Sequence, residues 1–429
     1  MRSLEVIRSV VLGSLLFGGG GLSRAGDWPQ WRGPGRTGHA AADERPLASL
    51  PDALRTVWKV PAAEGYASPV VSEGRVFVME AAEGKEVLRA MDAKDGHEIW
   101  RAVVDETFKD SQGPAAPRCT AVVSDGRVYA QSCRGELKCF AATDGKPVWS
   151  VNYTRDFGAV FIGEKGNAPG ATRHGNNGAP WVEGGVVVAS AGSTNGAAVV
   201  ALDAATGSVK WKGGSEVAAY AAPVVSTIAG TRQVVNFMAD AVVGLNAADG
   251  KVLWRHPMKT AFARHVMTPI VAGNRVVVGS HQTGLLGLDV APHGGAWQAT
   301  VAWTNKEAAP NFSCPVLVDG HVYALGADRD VVCVEVASGA TRWKKPGWMS
   351  SAADKAHAGF VVVGGKSVLM LTDGGELILF AADPAGCREL GRVQVCGANW
   401  CNPALAGGRL YLRDGLKNGG SWWCVELGR

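Results

Sequence analysis

Short hydrophobic runs rich in β-branched and aromatic residues recur along the chain, and glycine-containing turns separate them. Val76, Phe77 and Val78 form one such run, and similar runs lie at 128–130, 276–278, 322–324 and 410–412. The turn before the first of them is Glu73-Gly74, where glycine supplies the positive φ of a tight hairpin. Runs of this length and composition predict β-strands, and the close spacing of the turns predicts antiparallel hairpins.

A tryptophan ends a unit that repeats along almost the whole chain. Five units share one spacing, a small residue followed ten positions later by tryptophan, at 90–100, 139–149, 201–211, 244–254 and 333–343. A period of about 45 residues indicates stacked supersecondary units. The first strands of the units begin near Pro69, Thr120, Pro180, Pro223, Pro269, Pro315, Phe360 and Pro403. Eight such units predict an all-β, eight-bladed β-propeller of four-stranded antiparallel blades over residues 55–429.

The two ends of the repeat predict how the ring closes. The last unit finishes at 423–427 without a closing tryptophan, whereas the segment 55–60 carries Trp58 before the first unit. We therefore expect an N-terminal strand to complete the last blade, which removes an exposed sheet edge. Blade five has an insertion around 293–295, and blade seven has Glu389 where the spacing calls for tryptophan. The outer edges of these two blades are expected to be less regular.

The repeat resembles a known family. Ala201, Asp203, Gly207 and Trp211 match the pattern Ala-x-Asp-x-x-x-Gly-x-x-x-Trp almost in full. This pattern is similar to that of the pyrroloquinoline-quinone-like (PQQ-like) propeller repeat family, whose members include quinoprotein alcohol dehydrogenases and the lipoprotein subunit of the bacterial outer-membrane β-barrel assembly machine. The resemblance implies that the repeated tryptophans pack between neighbouring blades, a structural role rather than a ligand-stacking one.

The N-terminal region predicts export. Arg2 and Arg8 precede an apolar stretch at 10–22, and Ser23-Arg24-Ala25 follows it as a small-x-small cleavage signature. This order predicts a cleavable signal peptide at 1–25 and a periplasmic or secreted protein. No cysteine lies near the cleavage point, so lipidation there is not expected, and no apolar run of 18 residues predicts a membrane span. Residues 26–54 form an extension that we expect to pack on the ring.

Charge and cysteine content exclude some functions. A formal net charge of +4 on 429 residues gives no basic footprint for a nucleic-acid partner. Cys139, Cys333 and Cys424 take the small position of the repeat, so we interpret them as core thiols. Nine cysteines cannot all pair within one chain, and a disulfide between Cys119 and Cys133, or between Cys396 and Cys401, stays open. No Cys-x-x-Cys pair predicts a metal site.

Polar and aromatic residues precede the first strands of the blades. Loops that enter these strands open on one face of a propeller, so their residues form a ring around the channel mouth, where they predict a ligand site. The twelve predicted site residues of this ring are Tyr66, Arg118, His174, Asn176, Asn177, Tyr220, Arg264, His265, Asn311, His357, Asn399 and Trp400, and Phe312 lies in the ring beside Asn311. The alternative, in which they only satisfy the backbone ends of the inner strands, stays open.

Two function classes follow. The first is an exported, non-enzymatic binding or scaffold module, which holds a protein or small ligand at the channel mouth, with outer-membrane or envelope protein assembly as one setting. The alternative, implied by the resemblance, is a quinoprotein oxidoreductase that uses pyrroloquinoline quinone and calcium, with Asp354 near His357 as the nearest base. Ca²⁺ prefers six to eight oxygen ligands, and the ring lacks a carboxylate cluster. We therefore expect no cofactor, metal or catalytic residue. The chain is also expected to be a monomer.

Overall fold

The computed structural model describes residues 26–111, 113, 115, 117–351, 353–415 and 419–428, so the predicted signal peptide lies outside the described residues. Eight four-stranded antiparallel sheets make up the fold. The strands of each blade are given from the channel outwards. Blade one contains β2 (Val70–Ser72), β3 (Arg75–Ala82), β4 (Lys85–Asp92) and β5 (Glu98–Glu106), and blade two contains β6 (Val122–Ser124), β7 (Arg127–Gln131), β8 (Glu136–Ala141) and β9 (Pro147–Asn152). Blade three contains β10 (Trp181–Glu183), β11 (Val186–Ala189), β12 (Val199–Asp203) and β13 (Val209–Gly213), and blade four contains β14 (Val224–Ile228), β15 (Thr231–Phe237), β16 (Ala241–Asn246) and β17 (Val252–Pro257).

Blade five contains β18 (Ile270–Ala272), β19 (Arg275–Ser280), β20 (Gly284–His293) and β21 (Ala296–Asn305), and blade six contains β22 (Val316–Val318), β23 (His321–Leu325), β24 (Asp330–Glu335) and β25 (Thr341–Pro346). Blade seven contains β26 (Ala358–Val363), β27 (Ser367–Thr372), β28 (Glu376–Ala381) and β29 (Glu389–Gln394). Blade eight contains β30 (Ala404–Ala406), β31 (Arg409–Asp414), β32 (Gly420–Glu426) and β1 (Arg55–Ala62). The short helices are α1 (Tyr153–Phe157), α2 (Ala171–His174) and a 3₁₀ turn at Ala261–Ala263. The predicted eight-bladed β-propeller is confirmed.

The ring closes as the sequence predicts. β1 pairs with β32 in antiparallel register, and Trp58 lies opposite Cys424 in this ladder. The last blade is therefore built from both ends of the propeller. Because every blade now has its fourth strand, no unfinished sheet is left at the point of closure.

Most repeated tryptophans join one blade to the next through a hydrogen bond as well as through packing. The indole Nε1 donates to a backbone carbonyl in the turn between the third and fourth strands of the following blade. The pairs are Trp58 with Ala93, Trp100 with Ala142, Trp149 with Ala204, Trp211 with Ala247, Trp303 with Val336 and Trp343 with Asp383. In blade five the longer hairpin moves this turn outwards to 294–295, and Trp254 instead donates to Gln233 Oε1 at 2.7 Å.

The expectation that blades five and seven have irregular outer edges is wrong. In blade five the insertion lengthens both arms of one hairpin, so β20 and β21 pair from Leu285↔Asn305 to His293↔Ala296. The added residues extend the ladder rather than interrupt it. In blade seven the turn is two residues longer, so Gly391, not Glu389, lies opposite Leu379 at the position that tryptophan takes elsewhere.

The extension at 26–54 lies across the face opposite the predicted mouth. Trp28 forms an isolated bridge with Val71, and His39 forms one with Val362. Asp27 accepts hydrogen bonds from Ser72 and from the backbone of Glu73, in the turn that ends the first strand of blade one. This end of the inner strands is therefore covered by the chain itself.

The extension also contacts blade seven. Leu50 donates its backbone N–H to Leu390 at 3.3 Å and is buried. A Cβ at Gly391 would lie 3.1 Å from the Cβ of Leu50, and Gly391 has a φ of 143°. The leucine thus packs against the glycine that replaces a tryptophan.

The nine cysteines are all free thiols in the structure. Cys139, Cys333 and Cys424 are fully buried, as predicted for core thiols. A two-residue turn joins β6 to β7, with Ser124 opposite Arg127. Extending this register places Cys119 and Cys133 on opposite faces, which explains why they do not meet. In the part of the chain that the structure describes, no helix combines the length and the apolarity needed to cross a membrane.

Candidate ligand site at the channel mouth

A cavity of about 630 Å³ lies where the loops before the first strands converge. This volume is within the range of small-molecule sites. Eight of the twelve predicted ring residues line it, namely Tyr66, Arg118, His174, Asn177, Tyr220, Arg264, His357 and Trp400. The other lining side chains that matter below are Trp31, Thr268, Phe312, Asp354 and Lys355.

The remaining four ring residues lie behind the wall of the cavity, and each is bonded to the backbone. Asn176, Asn311 and Asn399 donate from Nδ2 to the carbonyls of Cys133, Asp354 and Thr372, at 3.3, 2.9 and 2.7 Å. His265 Nδ1 lies 2.6 Å from the carbonyl oxygen of Met238. All four are buried. These four residues therefore fit the alternative left open by the sequence, in which ring side chains hydrogen-bond to the backbone rather than to a ligand.

Three aromatic rings form a continuous stack along one side of the mouth. The ring centroids of Phe312 and Trp400 are 5.0 Å apart with planes inclined by 25°. Trp400 stacks in turn on Tyr66 at 5.5 Å and 27°. All three are half-buried, so part of each ring still faces the cavity. Offset stacking of this kind fixes the three rings in place.

A network of charges around Asp110 adjoins this stack, because the Arg118 guanidinium lies 5.8 Å from the ring centroid of Tyr66. Its buried carboxylate accepts two hydrogen bonds of 2.8 Å from Arg118 and one of 2.8 Å from His174 Nδ1. Burial disfavours the Arg118 cation, yet its hydrogen bonds to Asp110 keep the pKa above the ordinary arginine value. His174 Nε2 accepts a hydrogen bond from Arg173 Nε at 3.2 Å, so both ring nitrogens have partners.

Two further cationic side chains, those of Arg264 and Lys355, line the cavity and differ from Arg118 in their contacts. Arg264 is half-buried and Lys355 is exposed, and neither forms a hydrogen bond or an ion pair with any residue that the structure describes. Among the described lining residues, Asp354 is the only carboxylate, and its side chain is exposed. The mouth therefore carries an excess of uncompensated positive charge.

The floor of the cavity comes from the N-terminal extension. Trp31 Nε1 donates to Thr268 Oγ1 at 2.9 Å and lies half-buried at the base. Below it, Arg32 donates to the carbonyls of Cys314 and Pro315 at 2.7 and 2.6 Å. Arg36 donates to the carbonyls of Ala179, Pro180 and Pro223 and to Gln30 Oε1. Burial lowers the pKa of Arg36 to about 9. These contacts close the channel from the other end.

Three titratable side chains in the wall are neutral near pH 7. Burial lowers the pKa of His357 to about 4 and raises the pKa of Tyr66 to about 12. Burial also raises the pKa of Tyr220, whose hydroxyl donates to the carbonyl of Gly170 at 2.9 Å. These groups can accept or donate hydrogen bonds without adding charge to the cavity.

The donor set does not fit a Ca²⁺ ion held by the protein. Asp110 is committed to Arg118 and His174, which leaves Asp354 as the one available carboxylate among the described lining residues. Ca²⁺ sites need six to eight oxygen ligands, usually with several carboxylates. Elsewhere in the described chain, Asp92, Asp95 and His97 group together on an outer turn of blade one, where two of them are exposed. This group is separate from the cavity.

Sequence reasoning missed three residues of this site. Asp110 lies in the long connection between β5 and β6, eight positions before Arg118, and that length was the available signal. Lys355 lies one position beyond Asp354, the residue singled out as a base. Trp31 was interpreted as part of the packed extension, and no repeat pattern could show that it reaches the channel floor.

Comparisons with known proteins agree with the fold. A family model described as outer membrane protein assembly factor BamB matches residues 55–159 and 84–345. Over 202 residues the chain is 29% identical to a quinohemoprotein alcohol dehydrogenase from Comamonas testosteroni. That match covers 44% of this chain but only 26% of the relative.

Solved structures show the same architecture at low sequence identity. A quinohemoprotein alcohol dehydrogenase from Comamonas testosteroni has a TM-score of 0.66 and 16% identity, with 94% of this chain and 80% of that chain covered. BamB from Moraxella catarrhalis has a TM-score of 0.57 and 14% identity, with 87% and 98% covered. Both show the propeller fold alone. Because the family model spans more than half of the residues, the chain belongs to the PQQ-like propeller family described as outer membrane protein assembly factor BamB.

Proposed function

We propose that this chain is an exported, non-enzymatic binding or scaffold module whose channel-mouth face holds a protein partner or a small ligand. One observation carries the proposal. The cavity combines stacked aromatic rings with an arginine, Arg264, that has no partner in the described part of the chain, and it offers one carboxylate among its described lining residues. Such a lining can bind but is poorly equipped for metal-assisted oxidation.

The family description supports outer-membrane protein assembly as the setting. The predicted signal peptide at 1–25 supports a periplasmic or secreted location. We expect the mature chain to act as a monomer, with no nucleic-acid partner.

A quinoprotein oxidoreductase is the second candidate, because of the 29% identity to a quinohemoprotein alcohol dehydrogenase over part of the chain. The aromatic stack and the cations of the mouth suit the planar, carboxylate-bearing quinone. The calcium that accompanies it in this hypothesis does not fit the donor set. We therefore assign no catalytic residue.

The first test separates the two candidates. The purified mature protein is mixed with pyrroloquinoline quinone and Ca²⁺, and absorbance and dye-linked oxidation of alcohols are recorded. We expect no turnover above the free cofactor. Stoichiometric binding together with sustained turnover would establish the oxidoreductase instead.

The second test asks which face binds a partner. A photo-crosslinking amino acid replaces Phe262, which is exposed beside Arg264, or Asp125, an exposed residue of the turn at the closed end. Cells that express each variant are irradiated, and the adducts are compared. We expect adducts from position 262 and none from position 125; the reverse pattern would place the binding surface on the wrong face.

A further inference from the structure

We propose that cleavage of the predicted signal peptide between Ala25 and Gly26 creates the cation that fastens the N-terminal extension to the ring. The new α-ammonium group of Gly26 pairs with the carboxylate of Asp43 at the closed end. The inference rests on the export that the proposed function includes, and it goes further because it gives the new N-terminus a structural role. The site is separate from the channel mouth.

The cleavage is a hydrolysis, and the catalyst it needs is a peptidase that removes signal peptides. The carbon–nitrogen bond between Ala25 and Gly26 breaks, and the water oxygen stays with Ala25 as part of a carboxylate. Both water protons end on the Gly26 nitrogen, which is then an ammonium group near neutral pH. The order Ser23-Arg24-Ala25 places the small residues of a cleavage signature immediately before this bond.

The nitrogen atom that cleavage releases already lies beside a carboxylate. The backbone N of Gly26 is 3.1 Å from Asp43 Oδ1, and as an amide it donates its single hydrogen there. As an ammonium group, the same atom carries three hydrogens and a positive charge. Hydrogen bonds between ionised groups are shorter than neutral ones and roughly twice as strong. Cleavage therefore strengthens this contact without a rearrangement of the fold.

The surroundings of this nitrogen carry negative charge without a counter-charge. Asp27 is the next residue, and buried Glu44 accepts a hydrogen bond from the backbone N–H of Gly407. A Cβ at Gly26 would lie 3.5 Å from the same Gly407 nitrogen. Within the described ranges of the chain, Asp27, Asp43 and Glu44 form no ion pair with a lysine, arginine or histidine. An ammonium group at Gly26 supplies the missing positive charge.

The ion pair joins the two ends of the segment 26–43, which crosses the closed end. Between these ends, Trp28 and His39 form isolated bridges with the inner strands of blades one and seven. The same segment contains Trp31, which forms the floor of the cavity. A chain that keeps its signal peptide has no charge on the Gly26 nitrogen, so only the amide contact holds this end. Cleavage thus completes the attachment of the floor.

The test compares full-length mature proteins with defined N-termini. One begins at Gly26 with a free α-amino group. A second begins at Gly26 with an Nα-acetyl group, which keeps the amide donor but removes the charge. Each is made with Asp43 and as Asp43→Asn. Asp52→Asn, which changes an exposed carboxylate of the same extension, is the matched control. Hydrogen–deuterium exchange of peptides from 26–54 reports how often the extension opens.

We expect Asp43→Asn to speed exchange in the extension about threefold when the α-amino group is free, the size that an exposed ion pair gives. The same substitution should have little effect in the acetylated protein, and ~1 M NaCl should reduce the threefold difference. Asp52→Asn should leave both exchange rates unchanged. The intact mass of the exported protein should correspond to a chain that begins at Gly26.

An exported protein that begins at another residue would overturn the inference, as would equal effects of Asp43→Asn in the free and acetylated proteins. Neither result bears on the mouth, because adducts from position 262 test that surface independently. If those adducts fail to form while the Gly26 terminus and its coupling to Asp43 are found, the binding function at the mouth fails and this inference stands. A chain that keeps its signal peptide in the cytoplasm would contradict both the export and the inference.

Discussion

The two ends of the propeller channel both contain arginines, but these arginines are in opposite states. At the closed end, Arg32 and Arg36 are buried and donate to backbone carbonyls of the inner strands. At the mouth, Arg264 is half-buried and has no partner among the described residues. An arginine whose N–H groups donate to backbone carbonyls stabilises the fold. An arginine that lacks such partners and lies beside a cavity can instead bind a ligand.

The closed end also shows how tightly the extension is fitted. Gly38 has a φ of 83°, and a Cβ there would lie 2.6 Å from Val316 Cγ1. Only glycine suits this close approach and this backbone conformation. The loop before Arg264 is constrained too, since Phe262 and Ala263 have φ of 58° and 51°, but the Arg264 side chain has no partner among the described residues.

The largest effect should come from the closed end. Arg36→Met removes the donor of three carbonyls, those of Ala179, Pro180 and Pro223, and leaves these acceptors buried. We expect the free energy of unfolding to fall by about 3 to 5 kcal/mol, since each unsatisfied buried acceptor costs about 1 to 3 kcal/mol. Denaturant unfolding measures this; a loss below about 1 kcal/mol would show that the extension is only loosely attached.

A smaller effect should follow at the outer end of the extension. Leu50→Ala removes the side chain that packs against Gly391, and we expect a loss of about 2 to 3 kcal/mol. Leu47→Ala, a half-buried leucine in the same segment, is the matched control and should cost less than about 1 kcal/mol. If the two variants lost the same unfolding free energy, Leu50 would not be taking the place of the missing tryptophan in blade seven.

The stability of the fold should depend on pH through His265, which is buried behind the wall of the mouth. His265 stacks on Phe237 at 4.0 Å, and burial lowers its pKa to about 4. The unfolded imidazole, with a pKa near 6.5, takes up a proton as the pH falls below that value, while the folded one does so only near pH 4. Stability is thus complete above about pH 6.5 and decreases as the pH falls towards 4.

The variant His265→Gln isolates this contribution. Between pH 7 and pH 5, wild type should lose about 2 kcal/mol more of its unfolding free energy than the variant does. Denaturant midpoints at the two pH values give the comparison. Parallel pH profiles for the two proteins would mean that His265 is protonated with similar ease in both states.

The sequence predicted the ring, the number of blades and the closing strand, because each depends on local periodicity and on turn glycines such as Gly74 and Gly126. It misplaced the tryptophan-equivalent position of blade seven, since fixed spacing assumes a constant turn length. The strand ladder identifies Gly391 instead.

The site was predicted in part. The position of a residue before a first strand places its backbone at the mouth, and eight of twelve residues line the cavity there. Position alone does not set side-chain direction, so His265 and Asn399 turn into the wall to meet backbone carbonyls. Asp110 and Trp31 reach the site from distant segments, and only three-dimensional packing brings them there.

The smallest effect on stability, with the largest on binding, should come from Arg264. The most direct measurement is therefore a pair: the unfolding free energy, and the yield of crosslinked adducts from position 262, for Arg264→Gln and Arg36→Met under conditions where both stay folded. We predict that Arg264→Gln lowers the adduct yield about tenfold and changes the unfolding free energy by less than about 0.5 kcal/mol. Arg36→Met should lower the unfolding free energy and largely retain the adducts. A loss of stability in Arg264→Gln that equals that of Arg36→Met, with an unchanged adduct yield, would contradict the assignment of the mouth as the binding end.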